Sequence, residues 1–204
     1  GTGNVVRGNY IGTDASGTVG LGNQSLLGET PSCGVRVEGA AAQTVIGGSG
    51  GARNVISGNN VNGVEILAGT DTVVQGNSIG LDAAGSVLAN LGAGVLVAGG
   101  DRTLIGGTSV AARNLLSGNF DGAGVRVTGG EVAVQGNYIG VGADGLTPRS
   151  NNDGVVVTGG IVVVGGTAAG AGNLITGNEA TGITLGSGSI GTTVLGNRIG
   201  GDQS

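Results

Sequence analysis

The sequence predicts an all-β chain folded as a right-handed parallel β-helix of about six and a half coils, with three short strands in each coil of about thirty residues. Three observations predict it. Short motifs recur at a spacing near thirty. Apolar residues alternate within each short segment. An Asn recurs with an aliphatic residue two positions on.

The repeat comes first. GNYIGTDASGT at Gly8 returns as GNSIGLDAAGS at Gly76, GNYIGVGADGL at Gly136 and GNRIGGDQS at Gly196, at spacings of 68, 60 and 60. A second unit lies between them: RNVISGN at Arg53, RNLLSGN at Arg113 and GNLITGN at Gly172, at spacings of 60 and 59. A finer period sits inside the sixty. Gly followed by alternating apolar residues opens at Gly34, Gly63, Gly94, Gly124, Gly154 and Gly182, at spacings of 29, 31, 30, 30 and 28. This is the first strand of each coil.

A second strand starts about ten residues later, at Thr44, Thr72, Thr103, Val132, Val162 and Thr192. The third strand is Asn-x-Ile. It holds Asn9, Asn54, Asn77, Asn114, Asn137, Asn173 and Asn197, with Ile11, Ile56, Ile79, Leu116, Ile139, Ile175 and Ile199 two residues on. Coils with a long second-to-third connection alternate with coils with a long third-to-first connection, which produces the sixty-residue super-repeat. The first long loop carries eight extra residues, 25 from Asn9 to Gly34 against 17 from Asn77 to Gly94.

Alternation along a strand sends successive side chains to opposite faces. In the first strand the flanking positions are apolar, and the residue between them varies: Arg36, Glu65, Leu96, Arg126, Val156, Thr184. The variable position looks outward. In the third strand Tyr10, Val55, Ser78, Leu115, Tyr138, Leu174 and Arg198 look outward, leaving Asn and Ile inward. Stacked coils bury what single short strands cannot, each Ile or Val above its counterpart. Inward Asn residues then form a ladder that satisfies buried backbone groups; solvated turn residues are the plainer alternative. Parallel pairing makes the stack roughly 30 Å tall, and parallel crossovers favour the right hand. Frequent Gly excludes helices.

Composition agrees. Fifty Gly and two Pro in 204 residues would suggest disorder, but 38% hydrophobic and 10% charged residues argue for a packed core in a single domain over 1–204. All eight basic residues are Arg, and the net charge of -5 argues against nucleic acid as a partner. No apolar run reaches the ~18 residues of a membrane span, and no signal peptide is visible. The chain starts at Gly1 and lacks Met, so it reads as processed or excised from a longer protein. Cys33 stands alone, as a free loop thiol or one half of an intermolecular disulfide.

The Asn-x-Ile-x-Gly-Asn units (NVISGN, NLLSGN, NLITGN) and the GNYIG units resemble the repeats of bacterial right-handed parallel β-helix proteins. The resemblance spans nearly the whole chain. It implies the fold, and it implies function weakly, because this solenoid carries pectin-cleaving enzymes, epimerases, tailspikes and surface adhesins alike. GNYIGTDASGT is similar to segments of large secreted or surface-anchored repeat proteins, which implies an extracellular or cell-surface location.

The search for chemistry yields no catalytic, cofactor-binding or metal-binding residue. Glycosidic cleavage needs two facing carboxylates ~5–9.5 Å apart. Here Glu38, Glu65, Asp71, Asp101, Asp121, Glu131, Asp153 and Glu179 are scattered, and only Glu65 falls at an outward strand position, between Arg36 and Leu96. Aromatic platforms for sugars are scarce: Tyr10, Phe120 and Tyr138. Asp14, Asp82 and Asp202 share a place in the IGxD loop, where the third repeat has Gly142 and then Asp144. Calcium wants six to eight oxygens, so a turn-forming Asp is the better expectation.

In the second strand, Val5, Val45, Val73, Leu104, Ala133, Val163 and Thr193 form an outer row, if Thr44, Thr72 and Thr103 point inward. Such an apolar stripe either associates or lies under loops. Neither end shows a polar cap, so the solenoid either continues or stacks end to end. The expected function is a non-enzymatic stalk, spacer or adhesive module. A self-assembling filament subunit and a glycan-binding or glycan-active module are the alternatives, with ice binding a remote fourth.

Overall fold

The structure, a computed structural model, describes residues 1–24, 32–48, 53–120 and 122–201. Strands β1 (Val5–Val6) and β2 (Tyr10–Ile11) belong to a partial first coil. Six three-stranded coils follow. The first three are β3 (Val35–Val37), β4 (Val45–Gly47), β5 (Val55–Ile56); β6 (Val64–Ile66), β7 (Val73–Gln75), β8 (Ser78–Ile79); and β9 (Val95–Val97), β10 (Thr103–Gly106), β11 (Leu115–Leu116). The last three are β12 (Ala123–Val127), β13 (Glu131–Gln135), β14 (Tyr138–Ile139); β15 (Asp153–Val157), β16 (Ile161–Gly165), β17 (Leu174–Ile175); and β18 (Ile183–Leu185), β19 (Thr193–Leu195), β20 (Arg198–Ile199).

Every third strand pairs in parallel. The first sheet runs β3-β6-β9-β12-β15-β18, the second β1-β4-β7-β10-β13-β16-β19, and the third β2-β5-β8-β11-β14-β17-β20. This is a three-sided parallel β-helix. Like residues stack in register: Val64 on Val95 and then Val125, Ile46 on Val74, Leu116 on Ile139. The inward rows of all three sheets form one continuous aliphatic core along the axis.

The first-strand Gly column is a packing requirement. A Cβ on Gly63 would stand 2.6 Å from Ile79 Cγ2 and 2.7 Å from the Gly94 carbonyl oxygen. The inward Ile of the third sheet therefore fixes Gly at the start of the first.

The Asn column exists as expected. Asn54 Nδ2 donates to Asn77 Oδ1 at 2.9 Å, Asn77 Nδ2 to Asn114 Oδ1 at 3.1 Å, and Asn114 Nδ2 to Asn137 Oδ1 at 2.9 Å. The run continues through Asn173 to Asn197 and begins at Asn9. Each Nδ2 of the buried members also reaches a carbonyl of the preceding coil, as Asn114 does to Val74 at 2.8 Å.

A second Asn ladder, which sequence reasoning missed, lines the corner between the third and first sheets. It runs Asn23, Asn59, Asn90, Asn119, Asn151, Asn178, with Nδ2-to-Oδ1 distances of 2.8, 2.8, 3.1, 2.9 and 2.9 Å.

The third-sheet outer row needs correction. Val55, Ser78, Leu115, Tyr138 and Leu174 point away from the core yet are buried. The IGxD loops fold back over them, and Leu81 and Val141 join Leu115, Tyr138 and Leu174 in a second small core. Each loop pinches shut at an antiparallel bridge: Thr13 to Gly20, Leu81 to Val87, Val141 to Pro148. In the second and third of these loops a buried Ser from the preceding coil staples the loop down. Ser57 Oγ donates to the Leu81 carbonyl at 2.7 Å and accepts from Gly80 N at 3.1 Å; Ser117 does the same at Val141 and Gly140. The two coil types thus alternate, one supplying the Ser and the next the loop.

The strand positions of the acids also need correction. Glu131 opens β13 at an exposed position and Asp153 opens β15, so Glu65 is not the only acid at an outward strand position. The corner from first to second sheet loses a residue in these coils. Val97 to Thr103 is six residues and Val127 to Val132 is five. The residue lost is a left-handed one, Arg102 at φ 54°, which precedes the strand in the longer corner as Gln43 and Asp71 do.

Candidate functional site

The three outer faces and their corners are where chemistry could occur. On the first sheet, Arg36, Glu65 and Leu96 do neighbour one another in register. Glu65 is only 4% exposed, not the surface carboxylate that its outward position suggested. Asn62 Nδ2 donates to Glu65 Oε1 at 2.6 Å, and Asn62 Oδ1 accepts from Ala93 N at 2.7 Å. Cys33 sits beside Glu65 as a free thiol. Burial first, and then repulsion from the Glu65 carboxylate, push that thiol up to about 11, which keeps it protonated and a poor nucleophile. Arg36 pairs with Glu38 at 2.9 Å.

On the third sheet the Asp loops are self-satisfied turns. Asp14 Oδ1 accepts from Thr18 N and Val19 N, and Asp82 Oδ1 from Ala84 N and Ser86 N. In the loop with Gly142, Asp144 takes over and accepts from Leu146 N, Thr147 N and Thr147 Oγ1. The Thr147 hydroxyl, followed by those two amides, lowers the Asp144 carboxyl to about 2. Each of these carboxylates accepts from its own turn, as expected of a turn-forming Asp. Asp202 lies outside the described residues, and among the described residues no three acids, Cys or His converge on a metal position.

The second sheet keeps its outer row partly exposed among the described residues. Val45, Val73, Leu104, Ala133 and Val163 are partly exposed, while Thr44, Thr72 and Thr103 are buried inward, so the inward phase of the Thr residues holds. The stripe lies open, with a notch of about 290 Å³ at Ala133, where a small side chain stands between Leu104 and Val163. Arg102 Nε and Nη2 bind the Asp71 carboxylate in bidentate fashion at 2.7 and 2.8 Å beside it. Glu131 and the exposed Ile161 complete the rim.

No protein-family model, curated protein or solved structure matches the chain.

A groove of about 650 Å³ lies at the corner between the second and third sheets. Arg113 and Arg198 line it with Tyr138 and glycine backbone. Sequence reasoning did not bring these two arginines together, because Arg113 precedes β11 while Arg198 lies on β20, three coils further on. Tyr138 is not a sugar platform: it is buried, and the Arg113 guanidinium covers its ring at 3.9 Å from the centroid. Tyr10, in the same row, is half exposed. No helix is long and apolar enough to cross a membrane among the described residues.

Proposed function

We propose that this chain is a structural spacer or adhesive module of a secreted or cell-surface protein, with no chemistry of its own. The observation that supports this most is the pair of Asn ladders running through the stack. Such ladders fix the shape of a rod coil by coil without any ligand. Carboxylates of the kind that act on substrates are instead engaged by the fold: Glu65 by Asn62, Asp71 by Arg102, Asp144 by its own turn. The extracellular placement and the adhesin-like role follow from the resemblance of the GNYIG units to secreted repeat proteins.

The test is a panel of neutral soluble polysaccharides assayed by viscosity and by thermal shift. A spacer leaves every viscosity constant and shows no rise in melting temperature. Depolymerisation of any polymer would sink the idea in favour of a glycan-active enzyme, and a ligand-dependent rise would indicate a glycan-binding module. Self-association is a second reading, favoured by the open apolar stripe of the second sheet. Sedimentation that gives a single concentration-independent mass of one chain would remove it.

A further inference from the structure

We propose that the groove between the second and third sheets binds an oxyanion, a molecule bearing a carboxylate, sulfate or phosphate group, between Arg113 and Arg198. Among the described residues, two guanidiniums line this groove and no carboxylate does. In a chain of net charge -5, that makes a local field opposite in sign to the molecule as a whole, and a concave wall concentrates it.

Arg113 is set in advance. Its Nε donates to the Gly136 carbonyl at 3.2 Å, and its plane lies on the Tyr138 ring. Tyr138 is itself locked in the second core. The outer edge of the guanidinium is left to meet a ligand, and little side-chain entropy remains to be lost on binding. The Arg198 side chain makes no hydrogen bond or ion pair with the described residues and is exposed. Two such groups suit the bidentate geometry of an oxyanion.

The groove arises from two departures from the repeat. Arg53 and Arg113 precede the ladder residues Asn54 and Asn114, but Gly172 precedes Asn173. In the outer column, Arg198 stands where the preceding super-repeat has Tyr138. Where one super-repeat sets Arg on Tyr, the next leaves an empty place beside a second Arg. No side chain can fill that place, because a Cβ on Gly172 would come within 2.0 Å of the Gly196 carbonyl oxygen.

The test titrates the whole 204-residue chain with inorganic phosphate, sulfate and galacturonate, followed by calorimetry and amide NMR. At least one probe is expected to bind saturably in the millimolar range and to shift the amides of Gly166, Gly170 and Gly196. Arg198→Gln, an exposed substitution, is expected to weaken binding about tenfold or more, the loss of one charge-assisted hydrogen bond. Arg113→Lys weakens it as well, because an ammonium cannot stack on Tyr138 or present a planar edge. Arg102→Gln, on the second-sheet face, leaves binding unchanged. Phosphate and sulfate binding without galacturonate assigns the groove to tetrahedral anions, and the reverse to carboxylates. The proposal is overturned if none of the three saturates, if Arg198→Gln binds as well as the parent chain, or if Arg102→Gln weakens binding equally.

Discussion

Single residues carry more of this fold than their size suggests, and the buried Thr column shows how. Thr72 and Thr103 are buried inward with hydroxyls that find no partner among the described residues. In the same column β13 and β16 use Val132 and Val162. An unsatisfied buried hydroxyl costs ~1–3 kcal/mol. Thr72→Val and Thr103→Val are therefore expected to leave stability unchanged or raise it by up to ~1 kcal/mol. A clear loss in urea denaturation would show that the hydroxyls have partners. Cys33 makes a second prediction. With its thiol at about 11, the alkylation rate of the folded chain should keep rising up to about that pH, and Glu65→Gln should move the midpoint down. A midpoint at the ordinary ~8.5 of a free thiol would contradict the burial of Cys33 and its place beside Glu65. Both environments were hidden in the sequence. Alternation gave Glu65 its outward direction, but its burial depends on Asn62 and on residues contributed by neighbouring turns.

At the scale of elements, the strands and the first Asn column were legible because each repeats with a fixed partner two residues away. The second ladder was not. Asn90 and Asn151 lie in loops of different length, at no constant distance from the preceding strand, so periodicity passes over them. The covered third sheet was missed for a related reason. Leu81 and Val141 each follow an IG pair and read as loop residues, and only a loop that turns back brings them over Leu115 and Tyr138. The Ser staple makes this testable. Ser117→Ala leaves Gly140 N and the Val141 carbonyl short of one bond each, and is expected to cost ~1–3 kcal/mol. It should also speed amide exchange across residues 140–152; unchanged exchange there would contradict the stapling role. At the tip of that loop, the Asp144 carboxyl at about 2 is below its unfolded value, so its support is complete above the ordinary carboxylate range and fades as pH falls through about 2. The Leu146 and Thr147 amide shifts should titrate with that midpoint, and a midpoint near ~3.9 would show that the turn bonds do not hold in solution.

For the whole molecule, stability is a sum over stacked neighbours, so position along the axis should matter as much as residue type. Asn114 bonds to the backbone N and Nδ2 of Asn77, to Val74 and to Asn137. Asn114→Ala therefore leaves several buried groups unpaired and is expected to cost ~2–5 kcal/mol. Asn9→Ala, on an exposed member of the same column, should cost under ~1 kcal/mol. The coil count, the three-strand unit and the core were legible in sequence because all follow from one short period. The grooves were not, since they form where two repeats differ, as at Gly172 and Arg198.

The most direct measurement is hydrogen exchange at the Asn side-chain amides, followed by NMR. Stacked columns require the Nδ2 protons of Asn77, Asn114, Asn90 and Asn119 to exchange only with global unfolding, slower than those of Asn9 and Asn23 by orders of magnitude. Exchange of the four central amides at the rate of a free carboxamide would mean that these side chains do not stack, and the rod with its grooves would go with them.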